Sequence, residues 1–193
     1  MTGRLRQLYF DLLHARSADP WEVESSPYER AKYERTIAAL DDQRFERALE
    51  VGCSIGALSE LLAPRCRRLV AIDGSRIAVR RARRRLAGAA AGVEVRRGRV
   101  PGGAPPGPFD LIVCSEVLYY LTRGQAERAI DELGAALAPG GSLLAVHKRE
   151  RGRSTPLSGD EVHALLAARL PCERALEDST PLYRLERFDA PAP

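Results

Sequence analysis

The stretch Glu50-Val51-Gly52-Cys53-Ser54-Ile55-Gly56 decides the fold of this chain. It follows a strand predicted over Arg47–Val51 and opens a helix predicted over Ile55–Ala63. A strand that ends at a glycine and turns directly into a helix leaves a crevice at its carboxyl end, where open α/β sheets bind their ligands. Gly52 and Gly56 carry no Cβ, so the backbone can turn tightly and a ligand can come close to it.

An acidic residue stands at the distance that a nucleoside site requires. Asp73 lies 21 residues after Gly52, at the end of the apolar run Leu69–Ile72. In nucleoside-binding βαβ units, a carboxylate at this place accepts hydrogen bonds from the ribose hydroxyls. The spacing Gly52-x-Ser54-x-Gly56 differs from the G-x-G-x-x-G pattern of dinucleotide sites, so a nicotinamide dehydrogenase ranks last. An ordinary tight turn between a strand and a helix is the alternative to any nucleoside site.

The length of 193 residues predicts a single domain over residues 1–193, large enough to bury a core. The chain has no run of eighteen apolar residues, which predicts that no membrane is spanned. Charges interrupt the apolar pattern of residues 1–16, so we interpret them as part of the fold and not as a signal peptide. The net charge of +4 is mild and does not by itself indicate nucleic-acid binding.

The four cysteines show no C-x-x-C pair and no metal-ligand spacing, so no metal site is predicted. This usage indicates a cytoplasmic protein without disulfides. Cys53 and Cys114 fall at predicted strand ends, where a reduced cysteine is a small apolar filler.

Residues 1–43 precede the first strand and are expected to form two helices. Leu5, Leu8, Tyr9, Leu12 and Leu13 repeat with the period of an amphipathic helix. A second helix is predicted over Pro27–Leu40, with Ser26 and Glu29 spaced as a capping box. We expect this segment to lie across the mouth of the crevice as a lid or a substrate wall. The alternative is that it only packs on the flank of the sheet.

Residues 44–190 alternate strands and helices, which predicts a Rossmann-like, doubly wound, mostly parallel sheet. The last two strands, Cys172–Leu176 and Leu182–Phe188, are joined by a turn so short that they must be antiparallel. The remaining predicted elements are the helices Ile77–Leu86 and Arg123–Ala138, a helix capped by Ser158 and Glu161, the strands Val93–Arg97, Phe109–Ser115 and Ser142–His147, and a turn at Pro139-Gly140-Gly141.

The predicted helix Ile77–Leu86 is rich in arginine and raises a nucleic-acid alternative. Its apolar residues form a stripe between the arginines. A basic patch of this kind can bind RNA, but it is also typical of a solvated helix face. A nucleic-acid partner is therefore not favoured over a small-molecule acceptor.

Two further stretches make a family resemblance specific: Phe109-Asp110-Leu111-Ile112-Val113-Cys114-Ser115-Glu116-Val117-Leu118-Tyr119-Tyr120-Leu121 and Leu137-Ala138-Pro139-Gly140-Gly141. With the stretch around Gly52 they resemble class I S-adenosylmethionine (SAM)-dependent methyltransferases. Ser26–Tyr33 and Pro156–His163 add a resemblance to the nodulation protein S group of N-methyltransferases. The resemblance implies that SAM is the cofactor and S-adenosylhomocysteine (SAH) the product. The acceptor it implies is the free amine of a deacetylated glucosamine on a chitin-like oligosaccharide.

The resemblance also implies which residues hold the cofactor. They are Glu50, Gly52, Cys53, Ser54, Gly56, Asp73, Gly74, Arg99, Val100 and Ser115. Arg99 departs from the family pattern, which usually has an acidic residue there to accept a hydrogen bond from the adenine amino group. A guanidinium has no acceptor, so the amino group must find a backbone carbonyl or water, or the loop is shifted.

Two residues at strand ends are candidates for the chemistry. Glu116 follows the fourth strand and is predicted to orient the acceptor amine. His147 ends the fifth strand and is predicted to take the amine's proton, with a structural histidine as the alternative. Tyr28, Tyr33, Tyr119 and Tyr120 are candidates for the walls of the acceptor site. His14 and His163 are interpreted as surface or packing residues.

Three functions follow from these features. The first is an N-methyltransferase acting on a small molecule. The second is an RNA methyltransferase that uses the arginine-rich helix. The third is a nucleoside-binding protein without catalytic activity, for which Arg99 is the hint.

Overall fold

The computed structural model describes residues 3–88 and 92–192, which form an α/β fold around one sheet. The strands are β1 Phe45–Val51, β2 Cys66–Asp73, β3 Val93–Arg97, β4 Phe109–Ser115, β5 Leu137–Lys148, β6 Glu173–Glu177 and β7 Tyr183–Asp189. Their spatial order is β3-β2-β1-β4-β5-β7-β6. Strands β1 to β5 run parallel, and β7 runs antiparallel to both of its neighbours. The predicted Rossmann-like sheet with an antiparallel end is confirmed.

The described residues form six α-helices: α1 Gly3–Arg16, α2 Pro27–Ala38, α3 Ala57–Leu62, α4 Arg76–Arg85, α5 Arg123–Ala136 and α6 Gly159–Arg169. Helices α5 and α6 pack on one face, and the other face packs against α2, α3 and α4. The packing of β4 explains why its sequence is continuously apolar. Ile112 and Cys114 face one layer while Leu111 and Val113 face the other, so both sides are buried.

The turn predicted at Pro139-Gly140-Gly141 is wrong, because β5 already begins at Leu137. Leu137 pairs with Phe109, and the register then shifts before Leu111 pairs with Ser142. The Gly140 N–H donates to the Pro191 carbonyl at 2.9 Å. These pairings with distant strands and with the C-terminal segment draw the proline and glycines into an irregular strand end, which local turn chemistry does not reveal.

The helix caps show where the local sequence pattern decides the contacts and where a competing contact overrides it. Thr122 with Gln125 and Ser158 with Glu161 form the predicted capping boxes. At α2 only half of the predicted box forms. The Ser26 hydroxyl accepts from the Glu29 N–H, but the Glu29 carboxylate binds Lys32 instead of the Ser26 N–H. A buried ammonium competes successfully for that carboxylate.

Helix α1 forms as predicted, but the predicted apolar face is not its buried face. Leu5, Leu8 and Leu12 are 55 %, 55 % and 49 % exposed. The helix is tied down by polar contacts, since Asp11 accepts from the Ser75 hydroxyl at 2.6 Å and the Arg76 N–H at 2.9 Å. Within residues 3–88 and 92–192, no helix combines the length and the apolar character needed to cross a membrane.

All four cysteines are free thiols in this structure. Cys53 and Cys114 are buried among apolar side chains, so their predicted role as small apolar fillers is confirmed.

Candidate active site

A cavity of about 730 Å³ opens at the carboxyl ends of β1, β2 and β4. Val51, Asp73 and Ser115, which end these strands, line its floor. This is the edge of an open α/β sheet at which ligands bind. Thirteen of the sixteen predicted site residues line it: Tyr33, Glu50, Gly52, Cys53, Ser54, Asp73, Gly74, Arg99, Val100, Ser115, Glu116, Tyr119 and Tyr120.

The turn after β1 requires glycine at its first position and lies against the cavity. Gly52 has a φ of +79°, and a Cβ there would lie 2.1 Å from the Val117 Cγ2 atom. The N–H groups of Gly52 and Cys53 donate to the Ile72 carbonyl at 2.8 and 3.0 Å, which holds the turn against β2. The Ser54 hydroxyl is buried and has no hydrogen-bond partner among the described residues. A polar ligand group is the partner that such an atom requires.

Asp73 is fixed by the backbone around it. One carboxylate oxygen accepts from the Ser54 N–H at 3.0 Å and the other from the Ser75 N–H at 2.7 Å. Burial raises the pKa of Asp73, although these two N–H groups favour its ionised form. Each carboxylate oxygen can accept a further hydrogen bond, so Asp73 can bind two hydroxyls of a ligand. These contacts of Asp73 fit the ribose of SAM, and the Ser54 hydroxyl beside them fits a further polar group of the cofactor.

Glu50 is a buried carboxylate in the wall of the cavity, 2 % exposed. Burial raises its pKa to about 7, with Asp73 adding to the effect and a hydrogen bond from the Ser59 hydroxyl opposing it. An uncompensated buried carboxylate of this kind is typical of a site that binds a cation.

The loop after β3 carries Arg99 and forms one end of the cavity. Arg99 is exposed, whereas Val100 is buried. The loop is held from α5, because the Glu132 carboxylate accepts from the N–H groups of Gly102, Gly103 and Ala104 at 2.6, 3.2 and 3.0 Å. The Arg99 side chain brings only hydrogen-bond donors to this end of the cavity.

The N-terminal helices supply a wall that the sequence interpretation did not assign residue by residue. Arg6, Phe10 and His14 line the cavity from successive turns of α1, and Trp21 follows them. The Phe10 ring lies 4.9 Å from that of Tyr120, and the His14 ring 5.2 Å from that of Trp21. Burial, followed by the charge of Arg81, lowers the pKa of His14 to about 4, so it is a neutral group. The spacing i, i+4, i+8 was the signal that could have identified this face.

A buried ion pair closes the opposite side of the site. The Lys32 ammonium, whose side chain is 0 % exposed, lies 2.7 Å from Glu29 and 2.8 Å from Glu116. Both carboxylates line the cavity. Although burial opposes its charge, these carboxylates raise the pKa of Lys32. Sequence reasoning missed Lys32 because its main partner lies 84 residues away on another element.

Glu116 is held in an unusual conformation. Its φ of +57° lies in the left-handed region, which is uncommon for a residue with a side chain. The Tyr119 hydroxyl and the Lys148 N–H donate to its second carboxylate oxygen. A non-glycine residue held at positive φ by several contacts suggests a functional constraint at this position.

Three predicted site residues do not line the cavity, namely Gly56, Tyr28 and His147. Gly56 is the N-cap of α3 with a φ of +85°, and a Cβ there would lie 3.2 Å from the Ala82 Cβ of α4. Tyr28 packs against Tyr183 with its ring close to Lys32.

The prediction that His147 faces the acceptor and takes its proton is wrong. His147 is 0 % exposed, and its Nε2 accepts the Leu118 N–H at 3.3 Å. Its Nδ1 contacts His163, so the protein occupies both ring nitrogens. Burial lowers the pKa of His147 well below its ordinary value. The packing interpretation of His163 is correct, since it is 2 % exposed.

Comparison with known proteins relates the chain to one family. The family model of nodulation protein S (NodS) matches residues 6–157. Nodulation protein S of Rhizobium tropici is 39 % identical over 128 residues, which are 65 % of this chain and 53 % of that protein. The chain thus spans only about half of the length of this curated relative.

Two solved structures have the same fold. A putative methyltransferase from Pseudomonas syringae is 42 % identical with a TM-score of 0.74, covering 84 % of this chain and 98 % of that one. The N-methyltransferase NodS from Bradyrhizobium japonicum WM9, solved in complex with SAH, is 30 % identical with a TM-score of 0.80, covering 96 % and 97 %. This chain therefore belongs to the nodulation protein S (NodS) family, within the class I SAM-dependent methyltransferases.

Proposed function

We propose that this protein transfers the methyl group of SAM to an amino group of a small molecule, with an amino sugar as the acceptor class. The observation that carries the proposal is the pair of carboxylates, Glu29 and Glu116, on one wall of the cavity. The single buried ammonium of Lys32 leaves one negative charge uncompensated there. Lys148 also lies at this wall, but its side chain is 52 % exposed and water screens its charge. Such a wall attracts a protonated amine.

The proposed cofactor site lies beside this wall. We assign the ribose hydroxyls to Asp73 and the amino acid end of SAM to the turn from Gly52 to Ser54, with Glu50 near its ammonium group. Gly74, Arg99 and Val100 line the end assigned to adenine. Because Arg99 has no acceptor, a backbone carbonyl or water is expected to bind the adenine amino group.

Methyl transfer depends more on the alignment of the reacting atoms than on acid–base catalysis. When bound, the sulfonium supplies an electrophilic methyl group to an in-line displacement. Glu116 binds the acceptor as an ammonium ion and holds its nitrogen toward the methyl group once the proton has left to water. As the nitrogen–carbon bond forms, the carbon–sulfur bond breaks. The wall of Phe10, Trp21 and Tyr120 excludes water from the reacting atoms.

The acceptor is tested with a chitin-like oligosaccharide carrying one free amine at its terminal sugar. We expect SAH formation and one methyl group added at that nitrogen. The fully N-acetylated oligosaccharide is the matched control and should give no product. Equal turnover of both sugars would mean O-methylation, and turnover of neither would remove the amino sugar from the proposal.

RNA remains the alternative acceptor because part of α4 stays exposed. Arg85 pairs with Glu24 and Glu60, and Arg81 donates to the carbonyls of Ser17 and Ala18. A separate groove has no aromatic side chain among the described residues that line it, and its arginines are Arg76, Arg80, Arg83, Arg84 and Arg97. Without a stacking platform, this groove can contact phosphates but cannot hold a base. Binding of RNA that falls steeply with salt, together with its methylation, would favour this acceptor.

Replacing Asp73 by alanine tests the cofactor site. The substitution removes a charged partner of the ribose hydroxyls and should weaken SAH binding by about 1–3 kcal/mol in calorimetry. Asp110→Ala is the matched control, because Asp110 also accepts two backbone N–H groups but does not line the cavity. Equal SAH affinity in the Asp73 variant and the parent would exclude Asp73 from the site.

The N-terminal segment is proposed to act as a lid that orders when the cofactor binds. Amide hydrogen exchange in residues 28–40 is expected to slow in the presence of SAH, because closure lowers local opening. The β6 strand, remote from the cavity, serves as the internal reference. Protection around Gly52 without any change in residues 28–40 would show that α2 is a static wall.

A further inference from the structure

A row of buried polar side chains lies behind the acceptor wall, which is the side of the cavity formed by Glu29 and Glu116. The row does not reach the cavity. His147 at the end of β5 lies next to His163 on α6, with 3.2 Å between His147 Nδ1 and His163 Nε2. His163 Nδ1 lies 2.6 Å from a carboxylate oxygen of Glu186 on β7. The three residues are 0 %, 2 % and 1 % exposed. None of them lines the cavity, so the proposed methyl transfer does not account for them.

Every hydrogen bond in this row is donated toward Glu186, starting from the Leu118 N–H. The Leu118 N–H donates to His147 Nε2, so the His147 proton is on Nδ1. His147 Nδ1–H then donates to His163 Nε2, which places the His163 proton on its own Nδ1. That proton is donated to Glu186. Each imidazole is therefore neutral and in its Nδ1–H form.

The far end of the row is anchored by charge. The second carboxylate oxygen of Glu186 accepts from Arg174 and Arg184. Although burial opposes ionisation, hydrogen bonds from His163 and Arg184 lower the pKa of Glu186 to about 2. A permanent carboxylate at this end orients His163, as a buried carboxylate orients the imidazole of a catalytic histidine.

The near end of the row holds the turn Leu118–Tyr120, which follows Glu116. Leu118 is 0 % exposed, so without His147 its N–H would be a buried donor with no partner. Tyr119 in the same turn donates its hydroxyl to Glu116, and the Tyr119 ring lies 5.5 Å from that of His147.

We propose that His147, His163 and Glu186 are positioning residues that hold this turn so that Tyr119 directs the Glu116 carboxylate into the acceptor site. The proposal rests on the methyltransferase function proposed above. It assigns His147 a role without proton transfer to the acceptor.

The test compares two substitutions of the central residue. His163→Leu interrupts the row, whereas His163→Gln can accept from His147 with its amide oxygen and donate to Glu186 with its amide nitrogen. For His163→Leu we expect kcat for the amine acceptor to fall about tenfold to a hundredfold, with SAH affinity unchanged and most of the loss restored in His163→Gln. Val162→Ala, which truncates a buried neighbour on α6, controls for loss of helix packing and should keep the parent kcat.

Two readouts need no acceptor and so separate this proposal from the proposed function. Nitrogen NMR of the imidazoles should show His147 and His163 neutral and protonated at Nδ1. Hydrogen exchange at the Leu118 amide should be slow in the parent and fast in His163→Leu. An Nε2-protonated His147, or unchanged exchange and kcat in His163→Leu, would overturn the proposal. A parent protein that methylates no amine but shows both signatures would contradict only the proposed function.

Discussion

Replacing Lys32 by methionine is expected to lower the free energy of unfolding by about 3–5 kcal/mol, the scale for breaking a buried ion pair. The methionine fills a similar volume, so the loss comes from the carboxylates of Glu29 and Glu116 rather than from a cavity. Their side chains are only 9 % and 21 % exposed. Urea unfolding monitored by circular dichroism measures the change. Turnover of an amine acceptor should fall with it, because Glu116 loses the contact that orients it.

Lys148→Met is the matched control for this experiment. Lys148 lies 3.9 Å from Glu29, but its side chain is 52 % exposed. An exposed pair contributes at most about 1 kcal/mol. A second control adds Glu116→Gln to Lys32→Met, which removes one unpaired charge and should recover part of the lost stability. Equal losses in the two lysine variants would refute the assignment of Lys32 as the charge that holds the acceptor wall.

Replacing Glu50 by glutamine is expected to change how stability depends on pH. The ordinary pKa of glutamate is about 4.3, and burial raises that of Glu50 to about 7. Between these values the unfolded chain releases the proton first, so the free energy of unfolding of the parent falls as pH rises. The loss is nearly complete about one pH unit above the folded pKa and corresponds to roughly 4 kcal/mol. Glu50→Gln removes this loss.

The measurement is the difference in unfolding free energy between Glu50→Gln and the parent, taken from pH 4 to pH 8 without cofactor. This difference should shift in favour of the variant as pH rises, whatever constant offset the altered Ser59 contact adds. Glu46→Gln, an exposed position on the same strand, should leave the pH profile unchanged. A flat difference for Glu50→Gln would show that its carboxylate keeps an ordinary pKa in the folded state.

The half of the cavity that we propose for the cofactor depends on local geometry, which a sequence pattern can express. Gly52, Ser54 and Asp73 lie in one strand–turn–helix–strand unit, and hydrogen bonds inside that unit join them. The acceptor half could not be predicted in the same way. Glu116 was identified by its position after a strand, but its partner Lys32 comes from a helix that precedes the whole sheet.

His147 shows why the position of a residue in a strand does not decide its role. It is the last residue but one of β5, close to the strand end that the sequence pattern predicts. The direction of its side chain, however, depends on α6 and β7, which place His163 and Glu186 behind it. Those elements come later in the chain and contact β5 only in the folded protein.

By itself, the sequence determined the order of the strands and helices, the fold class, the glycine turn and the carboxylate that faces it. These features follow from apolar periodicity, from caps and from the conformational freedom of glycine, all of which act over a few residues. The tertiary structure alone decided that Leu5, Leu8 and Leu12 face solvent, that Lys32 is buried between two carboxylates and that β5 begins at Leu137. Each of these depends on burial and charge pairing between distant segments, and the energy of such pairing exceeds the local preferences that a sequence pattern expresses.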